Sequence, residues 1–98
     1  MKIIQKLSDM IEEEISDAMK YARCYQANRE DDPELAKTYS QLAFEELTHV
    51  DRLHAQVVRL IRAYRDTHGE PPSHMQAIYN YLHERNIDKV NKVRLMLS

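Results

Sequence analysis

Glu14, Glu46 and His49 are the residues of this 98-residue sequence whose types and spacing bear on chemistry. Two carboxylates and an imidazole form a ligand set for a borderline or harder transition metal such as iron, manganese or zinc. Glu46 and His49 stand three residues apart, so on a helix they share one face and can reach one ion. Their setting singles them out. Positions 4, 7, 11, 14, 18, 21 and 25 alternate spacings of three and four, and six of them form an apolar stripe: Ile4, Leu7, Ile11, Ala18, Tyr21 and Tyr25. Glu14 interrupts it. A second stripe of the same period holds Leu35, Tyr39, Leu42, Leu53 and Leu60, and Glu46 and His49 fall between Leu42 and Leu53. The spacing therefore predicts three ionisable side chains where each helix is most buried. An unpaired charge there is costly, so a shared ion or a hydrogen-bonded cluster must compensate.

The elements that position these residues read as three helices. The first stripe has the helical period and predicts a helix over about residues 3–29. Asn28-Arg29-Glu30-Asp31 is a polar break, after which Asp32 is an N-cap, Pro33 the first helical residue and Glu34 a first-turn acid. Helix two is expected from Pro33 to about His68, its face widened by a second line of Ala36, Ala43, Val50, Val57 and Tyr64. Gly69 and Pro71-Pro72 stop it. At 1.5 Å per residue such a helix is about 54 Å long, a rod whose faces need partners. Ser73 to Gln76 has the spacing of a capping box and opens a third helix, about residues 74–97, with Ile78, Leu82, Ile87, Val90, Val93 and Leu97. Asn86-Ile87-Asp88 is a candidate kink, or a stop and restart. A hairpin turning near residue 31 puts Glu14, 17 residues before the turn, level with Glu46 and His49, 15 and 18 residues after it. The three should meet at one height.

Composition agrees with an all-α chain forming a single helical domain over residues 1–98. One Gly and three Pro leave too few turns for a many-stranded fold. A net charge of −2 argues against a general nucleic-acid partner. Cys24 is alone, which removes disulfide, Cys-x-x-Cys and zinc-ribbon chemistry. No run is apolar enough for a membrane span or a secretory signal, and the expected location is cytoplasmic. A chain of this length also buries only about two-thirds of its unfolded surface, a marginal core.

Helical bundles that hold two metals use a Glu from each of two helices and a Glu-x-x-His from each of the other two. This chain supplies one of each. Helix three adds no second Glu-x-x-His, because His83 and Glu84 are adjacent and face different ways. A two-fold homodimer would complete the set, with Glu14, Glu46 and His49 from each copy and a four-helix bundle around them.

At these residues the sequence resembles the ferritin-like superfamily. The matching pieces are Glu14 with Tyr21 seven residues on, and Ala43-Phe44-Glu45-Glu46-Leu47-Thr48-His49 on the second helix. The single-hairpin length and the Asp32-Pro33-Glu34-Leu35 entry look most like the short encapsulated ferritins. The resemblance covers roughly residues 7–65 and does not extend to helix three. It implies a ferritin-like antiparallel hairpin whose dimer forms the bundle. It also implies a di-iron ferroxidase-type site with Glu14, Glu46 and His49 as ligands, and Tyr21 behind them orienting a carboxylate. Iron is the metal implied, with manganese and zinc as alternatives. The partners implied are a second copy, a higher homo-oligomer and an enclosing shell protein.

Blander readings stay open beside this one. The three residues could form a polar cluster without metal, and a shift of one residue in helix phase would promote Glu13 over Glu14. Glu45 reads as solvated, Gln56 as an interface hydrogen-bonding residue, His54 as exposed, Cys24 as a small buried hydrophobe, and Tyr25 and Tyr39 as packing residues. Lys89, Lys92 and Arg94 suit a solvated helix end. Two functions follow: iron oxidation for sequestration, or a non-catalytic helical oligomerisation module, of phage or mobile-element type, that keeps a ferritin-like fold and uses its polar core to fix register.

Overall fold

The computed structural model describes residues 2–98. Among them lie three helices and no strand: α1 (Lys2–Asn28), α2 (Pro33–His68) and α3 (Ser73–Leu97). Asp32 caps α2 as its residue type predicts, its carboxylate accepting from the Leu35 amide at 3.1 Å, with Pro33 behind it. Gly69, at φ 78, ends α2 and donates its N–H to the Arg65 carbonyl at 2.9 Å. A positive φ of this kind is where a residue without Cβ is favoured. The start of α3 differs from the expected capping box. Pro72 is the N-cap, Ser73 lies inside the helix, and the Gln76 side chain donates instead to the Pro71 carbonyl at 2.9 Å. α3 is continuous through Asn86-Ile87-Asp88, with neither kink nor restart.

α1 and α2 pack antiparallel along most of their length. α3 returns parallel to α1, with Val93 and Leu97 against Ala18 and Ala22 and with the Gln26 amide donating to the Met96 carbonyl. α3 rests on α1 and scarcely meets α2. The result is a rod of 55 × 19 × 18 Å, its length set by α2.

The buried line differs in phase from the stripes traced in the sequence. On α1 it is Ile4, Ile11, Ile15, Ala18 and Ala22; on α2 it is Ala36, Ala43, Leu47 and Val50. Leu7, Tyr21 and Tyr25 lie half-buried beside it, and so do Tyr39, Leu42, Leu53 and Leu60. Ala36, Ala43 and Val50 of the second line of α2 are core, joined by Leu47 from neither line, while Val57 and Tyr64 are half-buried and the first line is the shoulder. The reason is α3. A third helix on one side rotates the most buried direction of each hairpin helix toward it, away from the plane midway between α1 and α2. Among the described residues alanine makes up four of the eleven buried apolar positions, and only Ile4, Ile15 and Val93 are large and fully enclosed, so the core is thin. No described helix is long and apolar enough to cross a membrane.

Candidate metal centre

The expected meeting of the three ionisable residues does occur. Glu14 on α1 and Glu46 and His49 on α2 come together with one ligand atom from each within 4.8 Å of the others. His49 Nδ1 lies 3.3 Å from Glu14 Oε2 and 3.7 Å from Glu46 Oε2. Small residues bring the two backbones close on the turn side of this height, Ala18 and Ala22 from α1 and Ala43 from α2, and Ile11, Ile15 and Val50 pack on the other side. Glu13, one residue away in phase, is exposed and takes no part.

The cluster is not buried at the centre of the core, as the stripes implied. Its side chains are 28% exposed at Glu14, 19% at Glu46 and 47% at His49, and no polar or charged residue among those described is fully buried. The three sit on the shoulder of the hairpin, away from α3. Burial of charge is therefore partial, and the desolvation that would have demanded a counterion is reduced.

The carboxylates nevertheless perturb one another. Glu46 is pushed up to about 7 by its hydrogen bond with Glu14, then by burial and by the charges of Glu14 and Asp17, against the opposing pull of His49. Glu14 is held below the usual carboxylate range, first by the hydrogen bond from Glu46 and then by His49. The pair thus keeps one shared proton into the neutral range, because two carboxylates this close resist ionising together. Asp17, which adds to that field, went unremarked in the sequence, though its place one turn after Glu14 could have found it.

The donor set fits a transition metal. Atoms bound to one ion at about 2.1 Å lie roughly 3–4 Å apart, so small side-chain rotations would bring the two oxygens and the imidazole nitrogen onto it. Three protein donors leave coordination positions open toward solvent, the property that separates reactive from purely structural sites.

Tyr21, expected to orient a carboxylate, makes no hydrogen bond to Glu14 or Glu46. Its ring stacks on Tyr39, with centroids 6.4 Å apart and planes 29° from parallel. Each tyrosine is seven residues from its helix's carboxylate, so the stack lies two turns nearer the interhelical turn and fixes the register of α1 on α2. Gln56 is exposed and accepts from Arg59 Nε at 2.9 Å within its own helix, instead of bonding across an interface. Cys24 is half-buried. His54, expected in solvent, is half-buried against His83.

Apolar side chains continue along the shoulder that carries the cluster. Ile3, Leu7 and Met10 precede Glu14 at spacings of three and four, and Leu35 and Leu42 precede Glu46 on α2, with Leu53 and Leu60 beyond it. Ile3, Met10 and Leu35 are exposed in the single chain. No described element covers this shoulder, because α3 occupies the other side of the hairpin. No protein-family profile, curated protein or solved structure matches the chain.

Proposed function

We propose that the chain is a ferritin-like metal-binding protein whose homodimer assembles a di-iron site of ferroxidase type from Glu14, Glu46 and His49 of both copies. The observation that carries this reading is the convergence of three metal-ligating side chains on the uncovered, apolar shoulder of the hairpin. A second copy laid shoulder to shoulder would cover the exposed Ile3, Met10 and Leu35 and would bring the missing half of the ligand set. In such a site Fe(II) is the substrate. Two Fe(II) ions each give one electron to O₂, which takes up two protons and leaves as hydrogen peroxide, and the Fe(III) is passed on for sequestration. The carboxylates would neutralise the growing metal charge, and His49 would set the geometry.

A second reading has its own support. The cluster satisfies itself without an ion, since the shared proton bonds Glu46 to Glu14 and His49 bonds to Glu14. Under that reading it fixes register in a helical oligomer and catalyses nothing. Metal analysis with native mass measurement, followed by aerobic Fe(II) titration watched by absorbance, separates the two. The first reading expects a metal-loaded dimer and oxidation well above the buffer rate, both lost in Glu46→Ala and His49→Ala. A metal-free protein with no oxidation above background would leave only the second.

A further inference from the structure

The seam between α2 and α3 holds a second group of side chains that the first site does not use. The two helices scarcely touch, yet His54 of α2 and His83 of α3 face each other with ring centroids 4.8 Å apart and planes 17° from parallel. A cavity of about 270 Å³ opens on each side of the pair, and His54, His83, Ile11 and Asn86 line both. Asp51, one turn before His54, lines one of them. Asn86, one turn after His83, has a fully buried Oδ1 with no hydrogen-bond partner. Neither imidazole makes a hydrogen bond or ion pair among the described residues.

Packing alone does not account for this arrangement. His54 is half-buried and His83 exposed, their ring nitrogens have no protein partner among the described residues, and the buried Asn86 oxygen beside them is unpaired. We propose that His54 and His83 form a second cation site, separate from the Glu14–Glu46–His49 cluster, which takes a borderline divalent transition metal ion such as Zn²⁺ and ties α3 to α2. Imidazole is a preferred ligand for such ions. The flanking cavities give both rings room to turn about the Cβ–Cγ bond and aim a nitrogen at a common point. Asp51, exposed at the rim of one cavity, stands at the spacing from His54 that Glu46 has from His49. The buried Asn86 oxygen supplies an acceptor for water held on the ion, a contact of the kind that orients metal-bound groups.

Co²⁺ and Zn²⁺ are suitable probes. In a Glu14→Gln, Glu46→Gln, His49→Gln chain, the seam should still bind one Co²⁺ per chain, with visible d–d absorption that Zn²⁺ displaces. Adding His54→Gln or His83→Gln should weaken that binding at least tenfold while the helical circular dichroism is kept. Absence of stoichiometric Co²⁺ in the triple variant, or binding indifferent to both histidines, overturns the proposal. Should the triple variant not fold, the wild-type chain decides. Zn²⁺ must shift the ring resonances of His54 and His83, and resonances unmoved at saturating Zn²⁺ overturn it equally. The converse chain, His54→Gln with His83→Gln, reads the first cluster alone, so the two sites fail or succeed separately.

Discussion

Replacing Glu46 with glutamine should stabilise the metal-free protein and weaken its hold on metal, and the size of the first effect follows from the cluster. In the unfolded chain Glu46 loses its proton near its ordinary value of 4.5, whereas in the folded chain it keeps the proton to about 7. Between those values the folded state binds more protons than the unfolded state, so this residue's contribution to stability falls as pH rises through the window and is constant above it. An interval from 4.5 to about 7 corresponds to at most ~3 kcal/mol. Glu14, held low by the same contact, works in the opposite sense: its stabilisation is present above its unfolded value and is lost in acid. The pair is partly open to solvent, which screens its repulsion and reduces the expectation for Glu46 to about 2 kcal/mol. Glutamine reproduces the neutral, hydrogen-bonding form at every pH. Glu46→Gln and wild type should match at pH 4, and at pH 8.5 the variant should be more stable by about 2 kcal/mol, roughly 8–16 °C in Tm for a domain of this size. Thermal denaturation in the presence of a chelator, at one fixed protein concentration, measures this directly. The same variant should bind Co²⁺ at least tenfold more weakly, a floor set by the loss typical of residues one shell further out. A Glu46→Gln protein no more stable than wild type at pH 8.5, or a difference independent of pH, would refute the shared-proton account of the cluster.

Metal binding to the wild type must displace that proton. Affinity should climb between pH 6 and 8 and level off above, with about one proton released per ion, measurable by calorimetry in two buffers of different ionisation enthalpy. Met10→Lys and Leu35→Lys place charges on the exposed shoulder and should shift a dimer toward monomer in sedimentation without loss of helix content, whereas a dimer that tolerates both would use another face. Dilution of the wild type should lower its Tm if folding and pairing are coupled. Ile15→Ala, at a fully enclosed position, should cost about 2–5 kcal/mol in urea denaturation. Asp32→Ala, which removes the cap on α2, should cost about 1 kcal/mol.

The three helices were legible in the residues, because their ends are set by local chemistry: the Asp32-Pro33 start of α2, the Gly69 stop, and the period of the apolar positions between. The meeting of Glu14 with Glu46 and His49 was legible too, since the length of two helices and the place of one turn fix which residues stand at the same height. The depth of that cluster was not legible. Which face of a helix becomes most buried depends on everything packed around it. α3 turned the core toward Ile15, Ala22 and Leu47 and left the ionisable residues on the shoulder. For the same reason the pairing of His54 with His83 was invisible along the chain. Helical period relates residues within one element, and only the docking of α3 beside α2 decides which side chains meet across the seam.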